Sequence, residues 1–173
     1  FIDRELCQIK PGYYSDLSNY KRVLRQRNVY LKEGRIDTSI LDVWDNELAR
    51  YGAKVISRRD EFILKINDIS KEIHGSISGG KETLNVKYEA NVEKSADPAD
   101  TESVFYEKLL KTRDDDIRNR TTGIGPHKDD LKISADGVDL RKFGSQGQQR
   151  TAALSLKLSE IKLIEDEMGE KPI

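Results

Sequence analysis

The chain has 173 residues, a formal net charge of −1 and a charged fraction of 35%. Its length suffices for one ordinary domain or two small lobes, and a chain so close to neutral is expected to bind DNA only weakly by itself. No apolar stretch approaches the ~18 residues that a membrane-spanning helix requires. The single cysteine, Cys7, excludes an internal disulfide and fits a reducing compartment, which predicts a cytoplasmic protein.

Both ends of the sequence predict a piece of a larger protein. The chain begins with Phe1 rather than methionine, and it stops at Lys171-Pro172-Ile173 just after a helix is expected to end at Gly169. A proline followed by an apolar residue after a charged helix end is typical of the start of a buried strand.

Two long helices are predicted in the first 80 residues. Leu17, Tyr20, Leu24 and Leu31 give an apolar face to a helix near residues 16–33. Thr38 or Ser39 is expected to cap a second helix over about residues 38–74. That helix has apolar residues at alternating steps of three and four, namely Leu41, Trp44, Leu48, Tyr51, Val55, Phe62, Ile66, Ile69 and Ile73. The seam predicts either a coiled-coil-like antiparallel helical arm over residues 1–80 or the packed helix of an ordinary bundle.

Residues 81–173 predict a small α/β part, so the fold class is α+β. Leu84, Val86 and Tyr88 alternate with polar residues, as in a half-buried strand, and residues 94–100 read as a loop. A helix from about Val104 is expected to end within the charged stretch 113–120, whose Asp114-Asp115-Asp116 run is interpreted as solvated. Ala135-Asp136-Gly137 indicates a hairpin. A final helix over about residues 147–168 is expected to turn Leu154, Leu158, Ile161 and Ile164 or Glu165 inward.

The residues before this final helix carry the clearest chemical signal. Ser145-Gln146-Gly147-Gln148-Gln149 lies between the hairpin and the helix. A helix N-terminus has unpaired N–H groups and a partial positive charge, and it can receive an anion. Gly147 would let a phosphate come close, while the hydroxyl of Ser145 can cap the helix or contact a phosphate oxygen. The glutamines add neutral donors that could reach a ribose or phosphate.

The stretch 144–151, Gly-Ser-Gln-Gly-Gln-Gln-Arg-Thr, resembles the signature motif of ABC-type ATPases, and its specific form is similar to that of the RecF family within the SMC-like branch. Two further stretches agree: Gly-Pro-His-Lys-Asp-Asp at 125–130, with Lys128 where that family has arginine, and Phe1-Ile2-Asp3. Gln146 stands where transporter signatures have the first of two adjacent glycines. The resemblance implies the signature lobe (lobe II) of an ABC-type ATPase.

The resemblance also implies what the parent protein does. In that family, ATP held with Mg²⁺ by the Walker A loop of one subunit is capped by the signature loop of the other, so that ATP drives homodimerisation. The family binds double-stranded and gapped DNA in recombinational repair, replication restart and the SOS response, and it works with RecR and RecO to load RecA. This sequence has neither a Walker A Gly-x-x-x-x-Gly-Lys-Ser/Thr nor a Walker B strand, so we expect no tight ATP binding and no hydrolysis from it alone. Neither catalytic residues nor metal ligands are expected within it.

Further candidate residues are basic. Lys21, Arg25 and Lys32 belong to a run of six cations between Lys21 and Arg35 that includes Arg27 and is opposed by Glu33 alone. They predict either contacts with DNA phosphates or a solvated helix surface. His127 and Lys128 are candidates to support the site, with ordinary turn residues as the alternative. If the signature loop is incidental, the alternative function is a non-enzymatic helical arm that binds DNA or a partner protein.

Overall fold

A computed structural model describes residues 2–169. In chain order, its elements are α1 (Ile2–Ile9), α2 (Tyr13–Tyr30), α3 (Thr38–Ser78), β1 (Leu84–Glu89), α4 (Pro98–Asn119), a 3-10 turn (Pro126–Lys128), β2 (Asp130–Ala135), β3 (Val138–Asp139), α5 (Leu140–Phe143) and α6 (Gln146–Met168). This content confirms the α+β class. None of the helices in residues 2–169 combines the length and apolar character needed to span a membrane. The predicted strand after Pro172 lies outside the described residues.

The chain forms two compact units that interleave in sequence. The first unit contains residues 2–9, 59–89 and 130–169, and the second contains residues 10–58 and 90–129. Helix α3 contributes its N-terminal part to the second unit and its C-terminal part to the first. Its 41 residues give a length of about 60 Å at 1.5 Å per residue.

The first unit is built on an antiparallel sheet in the order β1-β2-β3. Strand β1 pairs with β2 from Leu84 opposite Ala135 to Glu89 opposite Asp130. The predicted hairpin is confirmed, since Asp136 and Gly137 link β2 to β3 with φ values of 48° and 84°. Two consecutive residues with positive φ are typical of a tight hairpin turn. The core of this unit takes side chains from α1, α3, β1 and α6, including Leu6, Ile63, Ile66, Leu84 and Leu163.

The second unit holds the antiparallel helix pair. Arg27 contacts Asp45 at 2.6 Å, while Asp16, earlier on α2, lies 3.6 Å from Lys54, later on α3. This reversed order confirms that α2 and α3 are antiparallel. Helix α4 packs closely against α3 at Gly52, where an added Cβ would lie 2.4 Å from Phe105 Cε1. Glycine is therefore needed at that crossing.

Two predicted boundaries are corrected by side-chain caps. Asp37, rather than Thr38 or Ser39, caps α3, because its Oδ1 accepts from the Ser39 N–H at 2.9 Å. These hydrogen bonds from the Ser39 hydroxyl and N–H lower the pKa of the Asp37 carboxyl. Helix α4 already begins at Pro98, within the predicted loop, because Asp97 accepts from the Ala99 N–H at 2.8 Å. Proline suits the first turn of a helix, whose N–H groups have no intrahelical acceptor.

Helix α4 ends at Asn119, within the charged stretch 113–120 as predicted. Arg113 reaches Asp42 and Asp45 at 2.6 Å each, and Asp116 is buried, where it accepts from Arg27 at 2.7 Å. The interpretation of the aspartate run as solvated is therefore wrong for Asp116, although Asp114 and Asp115 are exposed.

The inward face of α6 differs from the prediction. Leu154, Leu158 and Ile161 are 50%, 40% and 43% exposed, whereas Ala152, Ser155, Ser159 and Leu163 are buried. The buried hydroxyls of Ser155 and Ser159 donate to carbonyls one turn earlier, at 2.9 and 2.6 Å. Small side chains with satisfied hydroxyls let a helix pack closely, and Leu154, Leu158 and Ile161 lie on the exposed side.

Candidate functional site

The approach to α6 is fixed by side-chain hydrogen bonds. Arg141 of α5 forms a two-pronged ion pair with Asp130 of β2 at 2.7 and 3.1 Å, and this hydrogen bonding lowers the pKa of the Asp130 carboxyl. At Gly144 a Cβ would lie 2.6 Å from the Leu140 carbonyl oxygen, so a side chain cannot fit there. Gln149 Nε2 donates to the carbonyls of Leu140 and Gly144 at 2.9 and 3.1 Å. The chain therefore enters α6 by a defined path.

Helix α6 begins with a reciprocal capping box. Ser145 Oγ accepts from the Gln148 N–H at 3.2 Å, and Gln148 Oε1 accepts from the Ser145 N–H at 2.9 Å. Ser145 itself has extended backbone angles, φ −62° and ψ 160°, as expected for an N-cap. Ser-x-x-Gln satisfies two backbone donors at once.

The outer side of this N-terminus is open to a ligand. The N–H groups of Gln146 and Gly147 occupy the first two helical positions and have no acceptor within the helix. A Cβ added at Gly147 would meet nothing nearer than Ser145 Oγ at 3.9 Å. Ser145, Gln146 and Gly147 are all exposed. Free donors, a helix dipole and the missing side chain suit a phosphate-sized anion.

The predicted glutamine donors divide into two groups. The amide groups of Gln148 and Gln149 donate within the chain, to Glu82 at 2.7 Å and to the carbonyls described above. Gln146 is exposed, and its side chain has no hydrogen bond in the described part of the chain. The side chains of Gln148 and Gln149 thus hold the stretch 145–149 in shape, while Ser145, Gln146 and Gly147 are exposed beside the helix start.

His127 is part of a hydrogen-bonded turn in the second unit. Its Nε2 lies 3.0 Å from the Thr122 carbonyl, which can only accept, so Nε2 carries the proton and Nδ1 accepts from the Tyr20 hydroxyl at 2.7 Å. Partial burial of the ring lowers the pKa of His127, in keeping with a neutral imidazole. At Gly125, with φ 123°, a Cβ would lie 2.6 Å from the Tyr20 hydroxyl. Lys128 is exposed.

The basic run is less uniform than its sequence indicates. Lys21 and Arg25 are exposed one turn apart on α2, and Lys32 is exposed just beyond the end of that helix at Tyr30. Arg27 is fully buried, with hydrogen bonds to Asp45 at 2.6 Å, Asp116 at 2.7 Å and Thr122 Oγ1 at 2.8 Å. It cannot contribute to a surface charge patch, which leaves five exposed cations, Lys21, Arg22, Arg25, Lys32 and Arg35.

Glu82 is a contact that the sequence analysis missed. It lies in the turn between α3 and β1 and accepts from the Gln148 amide. No motif spacing connects two residues that are 66 positions apart. The capping box itself could have indicated this contact. Once the side-chain oxygen of Gln148 accepts from the Ser145 N–H, its amide nitrogen needs another acceptor.

Curated relatives match the chain over its full length. The DNA replication and repair proteins RecF of Agathobacter rectalis and Lachnoclostridium phytofermentans are each 46% identical to it, and that of Clostridium tetani is 40% identical. The chain covers 46%, 47% and 48% of these proteins, so it spans about half their length. No protein-family model matches it.

Solved structures give the same match. Structures of the recombination mediator protein RecF, one titled RecF-ATP and one RecF-ATPrS in the RecFOR pathway, each superimpose with a TM-score of 0.93 at 34% identity. Each match covers 99% of this chain and 47% of the other. The small sheet, the helix pair and the helix capped at Ser145 are thus the fold of the matched half of those RecF structures. Over its whole length, the chain is similar to about half of a RecF protein.

Proposed function

We propose that this chain is the signature lobe of a RecF-like ATP-dependent DNA repair protein, and that α6 receives the γ-phosphate of ATP held by an opposing subunit. The observation that carries the proposal is the start of α6, where the first two backbone N–H groups have no acceptor within the helix and a Cβ at Gly147 would meet nothing nearer than 3.9 Å. The likeness to RecF structures titled with ATP and ATPrS supports it.

The chemistry of the site follows from its donors. Ser145 Oγ uses a lone pair to accept from the Gln148 N–H, which leaves its own hydrogen free to donate to a phosphate oxygen. The Gly147 N–H and the positive end of the helix dipole lie beside it. No cation of the stretch 145–149 is available to hold a triphosphate by charge. The loop therefore suits a phosphate that is already bound elsewhere, with Mg²⁺, by a lysine-bearing loop.

Such a site couples ATP to assembly. A closed homodimer gains the contacts between the γ-phosphate and the signature loop, and loss of that phosphate removes them. The equilibrium then returns to separate subunits. This lobe supplies the receiving loop and positions it, while hydrolysis requires the opposing subunit's phosphate loop.

The wider role belongs to the whole protein. We propose that it binds double-stranded and gapped DNA in recombinational repair and replication restart, and that it acts with RecR and RecO to load RecA in the cytoplasm. Lys21, Arg25 and Lys32 are the candidate contacts to DNA phosphates. His127 and Lys128 remain candidates for support of the site.

The test is Ser145→Arg in a full-length RecF-family protein that carries this sequence. Nucleotide affinity of each subunit should stay close to that of the unaltered protein, because the triphosphate-holding loop lies elsewhere. Steady-state ATP turnover should be abolished, since an arginine is too large for a site shaped by serine and glycine. If the variant turns over ATP as fast as the unaltered protein, residues 144–150 serve only as a helix cap and the proposed function is wrong.

A further inference from the structure

The capping box fixes the orientation of the Gln148 amide. The Ser145 N–H can only donate, so Gln148 must present its oxygen to it, at 2.9 Å. The Gln148 nitrogen then points away from Ser145 and donates to Glu82 Oε1 at 2.7 Å. A carboxylate can only accept, so both contacts agree on one orientation.

The second oxygen of Glu82 faces a buried histidine. His74 of α3 is fully buried, and its Nε2 lies 3.5 Å from Glu82 Oε2. His74 Nδ1 lies 3.0 Å from Ser155 Oγ, which donates its own hydrogen to the Thr151 carbonyl at 2.9 Å. Nδ1 must therefore carry a proton and donate to Ser155.

His74 Nε2 has no hydrogen-bond partner among the described residues. The Gln148 amide, at 2.7 Å, is therefore the hydrogen-bond donor that the described residues offer to the Glu82 carboxylate. A hydrogen bond to a charged acceptor is stronger than a neutral one.

We propose that Glu82 is a positioning residue for the signature loop. Glu82 acts through Gln148, because it accepts a hydrogen bond from the side-chain amide nitrogen of Gln148. This contact keeps the side-chain oxygen of Gln148 on the Ser145 N–H, and it keeps the backbone N–H of Gln148 on Ser145 Oγ. The Ser145 hydroxyl then presents its hydrogen outward in one direction. Glu82 has no role in binding nucleotide by itself, and this inference rests on the function proposed above.

Loss of Glu82 should loosen the loop without unfolding the lobe. The Glu82 side chain is about a quarter exposed and lies in a turn. Removing a charge-assisted hydrogen bond typically shifts an equilibrium by about tenfold or more. Because the loop must be ordered when the dimer closes, the cost should appear in dimerisation rather than in nucleotide binding.

The test compares variants of a full-length RecF-family protein that carries this sequence. Glu82→Ala should raise the ATP concentration for half-maximal dimerisation about tenfold, with nucleotide affinity per subunit unchanged. Glu82→Gln should restore dimerisation, since its amide oxygen can still accept from Gln148. Glu72→Ala is the matched control, because Glu72 is an exposed glutamate of α3 whose carboxylate lies 3.7 Å from Lys162.

Ser145→Arg separates this inference from the proposed function. If Glu82→Ala dimerises normally while Ser145→Arg does not, the positioning role is wrong and the function stands. If both dimerise normally, the function itself is wrong. A drop in thermal stability and nucleotide affinity that parallels the drop in dimerisation would make Glu82 merely structural and overturn the inference.

Discussion

Arg27 of α2 and Asp45 of α3 form an ion pair at 2.6 Å in which both side chains are completely shielded from solvent. Asp116 accepts from the same guanidinium, and Arg113 reaches the other oxygen of Asp45. Three elements of the second unit are thus joined by one buried charge network. Such a network depends on complete pairing, because an uncompensated buried charge is costly.

The first prediction concerns this network. Arg27→Ala should lower the free energy of unfolding by about 3–5 kcal/mol, since it leaves the buried Asp116 without its cation and Asp45 with Arg113 alone. Chemical denaturation of the 173-residue chain measures this. Arg25→Ala, at an exposed position of the same helix, should change stability by less than about 0.5 kcal/mol. Equal effects of the two changes would contradict the role of the network.

The second prediction separates folding from ligand binding at Gly147. A Cβ there meets no atom within 3.4 Å, and alanine favours a helix by ~0.5–1 kcal/mol over glycine. Gly147→Ala should therefore leave the 173-residue chain as stable or slightly more stable, as measured by thermal unfolding. In a full-length protein, the same methyl group occupies the space proposed for phosphate and should weaken ATP-driven dimerisation. Gly144→Ala, which clashes with Leu140, should instead destabilise the chain.

The third prediction concerns a buried pair of carboxyl groups. Glu5 of α1 and Glu160 of α6 are 3% and 4% exposed and share a hydrogen bond. Burial, followed by this hydrogen bond, raises the pKa of Glu5. Burial also acts to raise the pKa of Glu160, but the hydrogen bonds from Glu5, Lys157 and Arg4 outweigh it, so the pKa of Glu160 is lowered. At a pH between these two pKa values, the pair therefore carries one proton, which the directions place on Glu5.

A group whose pKa is raised on folding contributes stability that is complete below its unfolded value of about 4.5 and is lost as pH rises through its folded pKa. In Glu5→Gln, the side-chain amide can donate a hydrogen bond to Glu160 at any pH, whereas the Glu5 carboxyl can donate only when it is protonated. This variant should be more stable than the unaltered chain, by a margin that grows from pH 5 to pH 8 in thermal melts. Glu160→Gln, which loses the pairs with Arg4 and Lys157, should be destabilised over the same range. A pH-independent margin for Glu5→Gln would refute the shared proton.

Sequence patterns predicted the helices and strands better than the tertiary contacts between them. The seam from Leu41 to Ile73 predicted α3, and Asp136-Gly137 predicted the hairpin, because both signals are local. The inward face of α6 was missed because two serines, Ser155 and Ser159, are buried in place of leucines, which only tertiary packing decides. Likewise, the sequence alone does not distinguish Arg27 from a surface cation, because its partners Asp45 and Asp116 lie on other helices.

The candidate site was predictable to the same extent. Ser145 and Gln148 are three residues apart, so their capping box can be inferred from sequence. Glu82 and His74 reach α6 from distant positions in the chain, and no local rule connects them.

The fourth prediction concerns DNA. Changing Lys21, Arg25 and Lys32 together to glutamate in a full-length protein should weaken binding to different sequences alike and reduce the slope of log affinity against log salt concentration, as expected for phosphate contacts. Fluorescence anisotropy over a salt series measures both quantities. Reversing three acidic residues of the same unit, Asp100, Glu102 and Glu107, is the matched control. An unchanged slope of log affinity against log salt concentration would mean that the three cations do not contact DNA phosphates.

The central claim is that the N-terminus of α6 closes on a nucleotide held by another subunit. Sedimentation equilibrium of a full-length RecF-family protein carrying this sequence, with and without ATP, tests it most directly. The unaltered protein should double its mass with ATP, while Ser145→Arg should bind ATP with unchanged affinity and remain a monomer. A Ser145→Arg protein that dimerises on ATP as the unaltered protein does would contradict the account.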